Sequence, residues 1–216
     1  MSKKKALIFD LDGTLLNSLI DIADAVNFVL DQHNFDTYEF DAYKNFIGNG
    51  IEVLARKALP QNLKEEEFQV LFSEIKASYQ IRQNTKTAAY EGIISMLEEA
   101  QARGFKLAVL SNKPHEFVPP TIERYFKNID FNYSFGSREG IEKKPKPDAV
   151  LELLNLMSLK AEECFFVGDT STDIMTANNA KMDSIGVLWG FRDRKELEGA
   201  NATYIIGHPK EILDLI

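Results

Sequence analysis

The sequence predicts a doubly wound α/β fold: a Rossmann-like, mostly parallel sheet with helices on both faces. Short apolar runs of strand length recur along the chain, and segments with a helical period of apolar residues lie between them. A long stretch with only helical patterns follows the first run, and it predicts a small inserted α-helical domain.

The predicted strands are the apolar runs bounded by polar or glycine-containing segments. They comprise residues 6–9, 107–110, 164–167, 185–188 and 204–206, with a weaker candidate at 133–135. Residues 92–103 are typical of the helices between them, because Ile93, Met96, Leu97 and Ala100 share one face.

Nearly a hundred residues separate the first strand from the next confident one. A crossover between parallel strands needs only about a dozen residues. Two amphipathic stripes occupy the interval, one around Val26 and one around Leu71. We therefore expect a core domain formed by residues 1–15 and 86–216, and a separate helical domain formed by residues 16–85.

Composition and charge narrow the classes of function. The net charge of -8 argues against a nucleic-acid-binding protein, because such interfaces need clustered cations. The single cysteine, Cys164, lies in an apolar run, allows no internal disulfide and is expected in the core. No apolar stretch approaches the length of a membrane span, so we expect a cytoplasmic protein. The sequence leaves monomer and homodimer open.

Four polar clusters follow or flank predicted strands, and the carboxyl ends of strands are where α/β sheets bind ligands. Each cluster alone has an ordinary explanation as a turn, a solvated loop or a helix cap. Together they supply paired acids, a hydroxyl, a lysine and a second acid pair, which suit phosphate and a hard cation. The clusters are Asp10-Leu11-Asp12-Gly13-Thr14, Ser111-Asn112-Lys113, Lys143-Lys144-Pro145-Lys146-Pro147-Asp148 and Gly168-Asp169-Thr170-Ser171-Thr172-Asp173.

The order and content of these clusters resemble the haloacid dehalogenase superfamily of phosphotransferases over nearly the whole chain. The resemblance implies that Asp10 is a nucleophile and that Asp12 is a general acid and base. It implies Mg²⁺ as cofactor, and the helical insert resembles the family's small cap domain. The implied metal residues are Asp10, Asp12 through its backbone carbonyl, Asp169 and Asp173, and the implied phosphate-binding residues are Gly13, Thr14, Ser111, Asn112 and Lys144.

Within the superfamily the chain is similar to phosphoglycolate phosphatase-like members, through the turn Gly48-Asn49-Gly50 in the insert. This turn is a candidate substrate loop, although a purely structural turn has the same pattern. Asn17 stands where the subgroup often has aspartate. The resemblance implies a Mg²⁺-dependent phosphatase that acts on a small phosphorylated metabolite through a phospho-aspartate on Asp10. A phosphosugar mutase, a pyrophosphatase or a nucleotidase of the same superfamily remains open.

Overall fold

The computed structural model describes residues 3–216, which divide into two compact units. One unit comprises the described residues up to Leu16 together with Ala89–Ile216, and the other is Asn17–Ala88. The sequence prediction places the two boundaries at residues 15/16 and 85/86. The interpretation of the second unit as a cap stays a prediction.

The first unit is built on a six-stranded sheet in which every neighbouring pair is parallel. The strand order is β5-β4-β1-β6-β7-β8. Strands β4 and β5 lie on one side of β1 and strands β6 to β8 on the other, so the strand order switches beside β1. Ligands bind at such switch points. The strands are β1 (Ala6–Phe9), β2 (Leu16–Asn17), β3 (Ala88–Ala89), β4 (Lys106–Pro114), β5 (Phe131–Ser137), β6 (Cys164–Gly168), β7 (Asp183–Val187) and β8 (Tyr204–Ile206). The short β2 and β3 pair with each other.

All six predicted sheet strands are present, but the predicted bounds of β4 and β7 are wrong, and β5 and β6 extend beyond theirs. Strand β4 continues to Pro114, so the Ser111-Asn112-Lys113 cluster lies inside the strand and does not follow it. The strand can continue because Pro114 pairs with Ser137 of β5 beyond a register shift. Strand β7 starts at Asp183 and ends before Leu188.

Alternate residues of the central strands pack on opposite faces of the sheet, as a pleated strand requires. In β1, Leu7 and Phe9 belong to one buried cluster, whereas Ala6 and Ile8 belong to another. Both clusters are covered by helices, which confirms the doubly wound fold. The α-helices are α1 (Leu19–Gln32), α2 (Phe40–Tyr43), α3 (Ile51–Ala58), α4 (Glu65–Arg82), α5 (Ile93–Ala102), α6 (Val118–Tyr125), α7 (Asp148–Met157), α8 (Ser171–Asn179) and α9 (Arg194–Gly199).

The second unit is helical, as its two apolar stripes predict. Helix α1 packs against α4, and the buried Ser78 hydroxyl donates to the Ala25 carbonyl at 2.8 Å. Phe68 and Leu71 of α4 are buried, whereas Phe72 is half-buried and stacks on Phe68. Among residues 3–216, no helix combines the length and apolar character needed to cross a membrane.

Candidate active site

Three acidic side chains converge at the carboxyl edge of the sheet. Asp10 directly follows β1, Asp169 directly follows β6, and Asp173 lies in the first turn of α8. Strands β1 and β6 are parallel neighbours that pair Phe9 with Val167, so their ends lie at the same edge. One carboxylate oxygen from each acid lies within 4.8 Å of the others, and all three side chains are buried.

Lys144 is the cation of this acid cluster. Its Nζ lies 2.8 Å from Asp10 Oδ1 and 2.6 Å from Asp173 Oδ1, and its side chain is 2% exposed. One ammonium cannot balance three carboxylates. Apart from the ion pair with Lys144, the buried Asp10 Oδ1 has no hydrogen-bond partner in the part of the chain that the structure describes. The carboxylate oxygens of Asp10, Asp169 and Asp173 suit a hard divalent cation such as Mg²⁺.

The pKa values of the acids are raised first by burial and then by the neighbouring negative charges. Burial raises the pKa of Asp10 to about 7; Lys144 opposes the rise, whereas Asp173 and Asp12 add to it. Burial and the two neighbouring carboxylates also raise the pKa of Asp169. Burial lowers the pKa of Lys144, but Asp10 and Asp173 outweigh it and raise that pKa overall. A bound cation would favour the ionised carboxylates.

The side chain of Asp12 points to a different partner. Its two oxygens lie 2.9 and 3.1 Å from Nζ of Lys113, and both side chains are largely buried. Asp12 is therefore outside the cluster formed by the carboxylates of Asp10, Asp169 and Asp173. This arrangement is compatible with the expectation that only the backbone carbonyl of Asp12 serves a metal.

Asn112 holds the segment that carries Lys144. Its side-chain amide donates to the Lys144 carbonyl and accepts from the Lys144 amide, both at 3.0 Å. The Asn112 side chain is thus engaged with the protein itself, so the predicted phosphate binding by this residue would have to use its backbone amide. Ser111 is buried beside it, and its hydroxyl oxygen accepts a bond from the Lys113 amide at 3.2 Å.

Gly13 and Thr14 form the turn after β1 and lie against Asp169. Gly13 has a φ of 95°, in the left-handed region. A Cβ at this position would lie 2.4 Å from Oδ2 of Asp169, so the turn has no space for a side chain. The Thr14 hydroxyl donates to Oδ1 of Asp169 at 3.0 Å. The sequence predicted phosphate binding for this pair, whereas their visible contacts support an acid.

Several residues that support the cluster were not predicted from the sequence. Thr170 donates to Oδ2 of Asp173 through its amide at 3.1 Å and its hydroxyl at 2.7 Å. The Thr-x-x-Asp spacing of a capping box could have indicated this pair. Trp189 and Phe191 also contact site residues, but no local pattern marks them. Lys113, which contacts Asp12, lies in the polar cluster Ser111-Asn112-Lys113, although no role was predicted for it.

The turn Gly48-Asn49-Gly50 belongs to the other compact unit and precedes α3. Gly48 and Gly50 have φ values of 117° and 90°, which glycine adopts at little cost. These three residues are therefore not among those that the first unit brings together around Asp10.

Comparison with known proteins identifies the family of this chain. The haloacid dehalogenase-like hydrolase family model matches residues 7–187. Phosphoglycolate phosphatase from Psychrobacter arcticus is 32% identical over 207 residues, covering 93% of this chain and 90% of that protein. Phosphoglycolate phosphatase from Colwellia psychrerythraea is 32% identical over 197 residues, covering 88% and 87%.

A solved structure extends the similarity to three dimensions. The crystal structure of a Lactobacillus delbrueckii subsp. bulgaricus protein, provisionally assigned as a phosphoglycolate phosphatase, matches with a TM-score of 0.93 at 30% identity. The match covers 100% of this chain and 99% of the other. The chain therefore belongs to the haloacid dehalogenase-like hydrolase family. It is a phosphoric monoester hydrolase, similar to the phosphoglycolate phosphatase group.

Proposed function

We propose that this chain is a Mg²⁺-dependent phosphatase that hydrolyses a small phosphate monoester through a phospho-aspartate on Asp10. The observation that carries the proposal is the environment of Asp10. This carboxylate ends the central strand, lies 2.8 Å from Lys144 Nζ and faces two further buried acids. A nucleophilic carboxylate and a cation-binding cluster thus occupy the same place, as attack on a phosphate dianion requires.

The residues that would hold Mg²⁺ are Asp10, Asp169 and Asp173, with the Asp12 backbone carbonyl added by the family resemblance. Their donors are all oxygens, which Mg²⁺ prefers, and the acids are short of positive charge. Bound there, the cation would neutralise charge on the phosphoryl oxygens and orient them for attack. The Asp12 side chain, which pairs with Lys113, is not one of these proposed ligands.

In the first chemical step, a carboxylate oxygen of Asp10 attacks phosphorus, and the bond from phosphorus to the ester oxygen breaks. Asp12, in its protonated form, gives a proton to the departing oxygen. In the second step, water attacks the phosphorus of the aspartyl phosphate while Asp12 takes one of its protons. Inorganic phosphate leaves, and the Asp10 carboxylate is restored.

Phosphate binding is assigned to Lys144, the hydroxyl of Ser111 and the amide of Asn112. Gly13 and Thr14 are assigned the shape of the turn beside the phosphate, because their amides already donate to the carbonyls of Leu16 and Leu11. Asn112 holds the Lys144 backbone through two hydrogen bonds, and the ion pairs with Asp10 and Asp173 orient the ammonium before substrate arrives. An ammonium group beside the nucleophile reduces the repulsion between a carboxylate and a phosphate dianion. This charge is the main contribution that we assign to Lys144.

The proposed substrate is a phosphoglycolate-like metabolite, because the named relatives are phosphoglycolate phosphatases over about nine-tenths of the chain. We assign the helical unit the role of a cap, with Gly48, Asn49 and Gly50 reading the leaving group. We place the reaction in the cytoplasm, in line with a single cysteine that is buried and unpaired.

The first test is phosphate release from a panel that includes phosphoglycolate, sugar phosphates, nucleotides and pyrophosphate, with Mg²⁺ and with a chelator. We expect Mg²⁺-dependent release that Asp10→Asn abolishes, because an amide is not a nucleophile toward phosphorus. Circular dichroism should be unchanged, and Asp130→Asn, an exposed acid in the same unit, should retain activity. Wild-type rates in the Asp10 variant would refute the mechanism, and transfer of phosphate to a second sugar would indicate a mutase.

A further inference from the structure

Trp189, the only tryptophan of the chain, lies in the segment that follows β7 and contacts the turn after β1. Its indole N–H donates to the backbone carbonyl of Thr14 at 2.9 Å. The hydroxyl of the same threonine donates to Oδ1 of Asp169 at 3.0 Å. Two hydrogen bonds in series therefore connect the indole with an acid of the proposed cation site.

A second contact from the same segment reaches the other oxygen of this carboxylate. The backbone amide of Phe191 donates to Oδ2 of Asp169 at 2.8 Å. Gly190 lies between the two donors, and a Cβ there would be 2.3 Å from the Asp169 Cβ and 2.4 Å from the Gly13 carbonyl. The segment 189–191 is thus in direct contact with Asp169 and with the turn that carries Thr14.

We propose that Trp189 is a positioning residue of the cation site: it holds the Thr14 backbone so that the Thr14 hydroxyl orients the Asp169 carboxylate. This inference rests on the proposed function. Asp169 is fully buried and carries two directed donors, so its carboxylate plane is set before a cation binds. Without the indole donor the turn can shift, and the carboxylate must lose rotational freedom on binding, which weakens affinity.

The primary test is Trp189→Phe, which keeps an aromatic ring and removes the N–H donor. Isothermal titration calorimetry of Mg²⁺ into the protein alone should show that the variant binds Mg²⁺ about tenfold more weakly than the wild type. This is the lower end of the loss in affinity found when a residue that orients a metal ligand is replaced. Thr14→Val removes the second bond of the series and should weaken binding similarly. Because the two bonds act in series, the double variant should bind about as weakly as the weaker single variant.

Two matched variants separate positioning from general loss of stability. Ser184→Ala removes the acceptor of a 3.0 Å bond from the Thr203 amide at the buried strand β7, away from the acids. It should lower thermal stability and leave Mg²⁺ affinity unchanged. Thr14→Ser keeps the hydroxyl and should retain most of the affinity that Thr14→Val loses.

The indole also provides a spectroscopic readout that needs no turnover. Mg²⁺ should change the tryptophan emission of the wild type, with the midpoint found by calorimetry. Equal affinities of wild type and Trp189→Phe would overturn the inference, as would fully additive losses in the double variant. A wild type that binds no Mg²⁺ would overturn both proposals. Trp189-dependent binding without phosphate release from any compound would support this inference and refute the proposed function alone.

Discussion

Close contacts between backbone and carboxylate govern the site at the scale of single residues. Gly13, Gly168 and Gly190 each lie where a Cβ would come within 2.4 Å of an acidic side chain. Real Cβ contacts do not approach this closely, so the turns around Asp169 and Asp173 depend on glycine. The family motifs contain glycine at residues 13 and 168, whereas the need for it at residue 190 is visible only in the structure.

Gly190→Ala tests this packing. The added methyl group would collide with Asp169 and with the Gly13 carbonyl, so we expect a loss of about 1–3 kcal/mol of stability and a strong fall in phosphate release. Urea denaturation and steady-state assays measure the two effects. Gly199→Ala is the matched control, because nothing lies within 4 Å of a Cβ there, at the end of α9. An active, fully stable Gly190 variant would contradict the contact.

Asp12→Asn separates acid–base chemistry from cation binding. The Asp12 side chain contacts Lys113 and not the acid cluster, so the variant should keep Mg²⁺ affinity. Loss of the proton donor should lower the rate of phosphate release about 10²- to 10⁴-fold. Calorimetry and steady-state kinetics check the two statements. A variant that loses Mg²⁺ binding as well would show that the side chain serves the metal.

At the scale of elements, helix α1 and the segment that follows α4 are joined by one buried carboxylate. Asp21 is 1% exposed and accepts hydrogen bonds from the amides of Thr85, Lys86 and Thr87. It also accepts the Thr87 hydroxyl at 2.6 Å. One side chain thus satisfies three consecutive backbone donors that lie beyond the helix end.

Asp21→Asn should destabilise the helical unit. The amide group has one acceptor oxygen and places an N–H₂ group against backbone N–H donors, so we expect a loss of about 1–3 kcal/mol. Urea denaturation and faster hydrogen exchange at residues 85–87 would report it. Asp24→Asn is the control, because its ion pair with Lys86 is exposed and such pairs contribute less than about 1 kcal/mol. Equal effects of the two changes would refute the role of Asp21.

At the scale of the whole molecule, the parallel sheet buries its central strands completely. Cys164 begins β6 within one of the two apolar clusters and is 0% exposed, which confirms the expectation of a core residue. Its sulfur contacts the Lys160 carbonyl oxygen at 3.6 Å. A reagent can reach this thiol only when the sheet opens.

Cys164 should therefore report global unfolding. Burial raises the pKa of its thiol to about 12, so the folded protein holds it neutral at pH 8 and above, whereas the unfolded chain ionises near 9. Stability linked to this group is complete below pH 9 and declines between pH 9 and about 12. A disulfide reagent at pH 8 should react slowly with native protein and stoichiometrically in denaturant. Rapid reaction of folded protein would contradict the burial.

The sequence by itself determined the class of fold and the candidate chemistry. Strand periodicity and apolar runs predict β1 and β6, and Asp10 and Asp169 directly follow those strands. Since parallel neighbours end at one edge, convergence of these acids follows from local pattern and topology alone. The end of β4 could not be predicted, because the strand extends through pairing with β5 that is not local.

Only the tertiary structure decided which polar groups pair within the site. Thr14 and Asp169 are 155 positions apart, Trp189 and Thr14 are 175 apart, and Lys113 and Asp12 are 101 apart. No local periodicity encodes such pairs. Their contacts exist because burial removes water from these donors and acceptors, which must then satisfy one another across the converging strand ends.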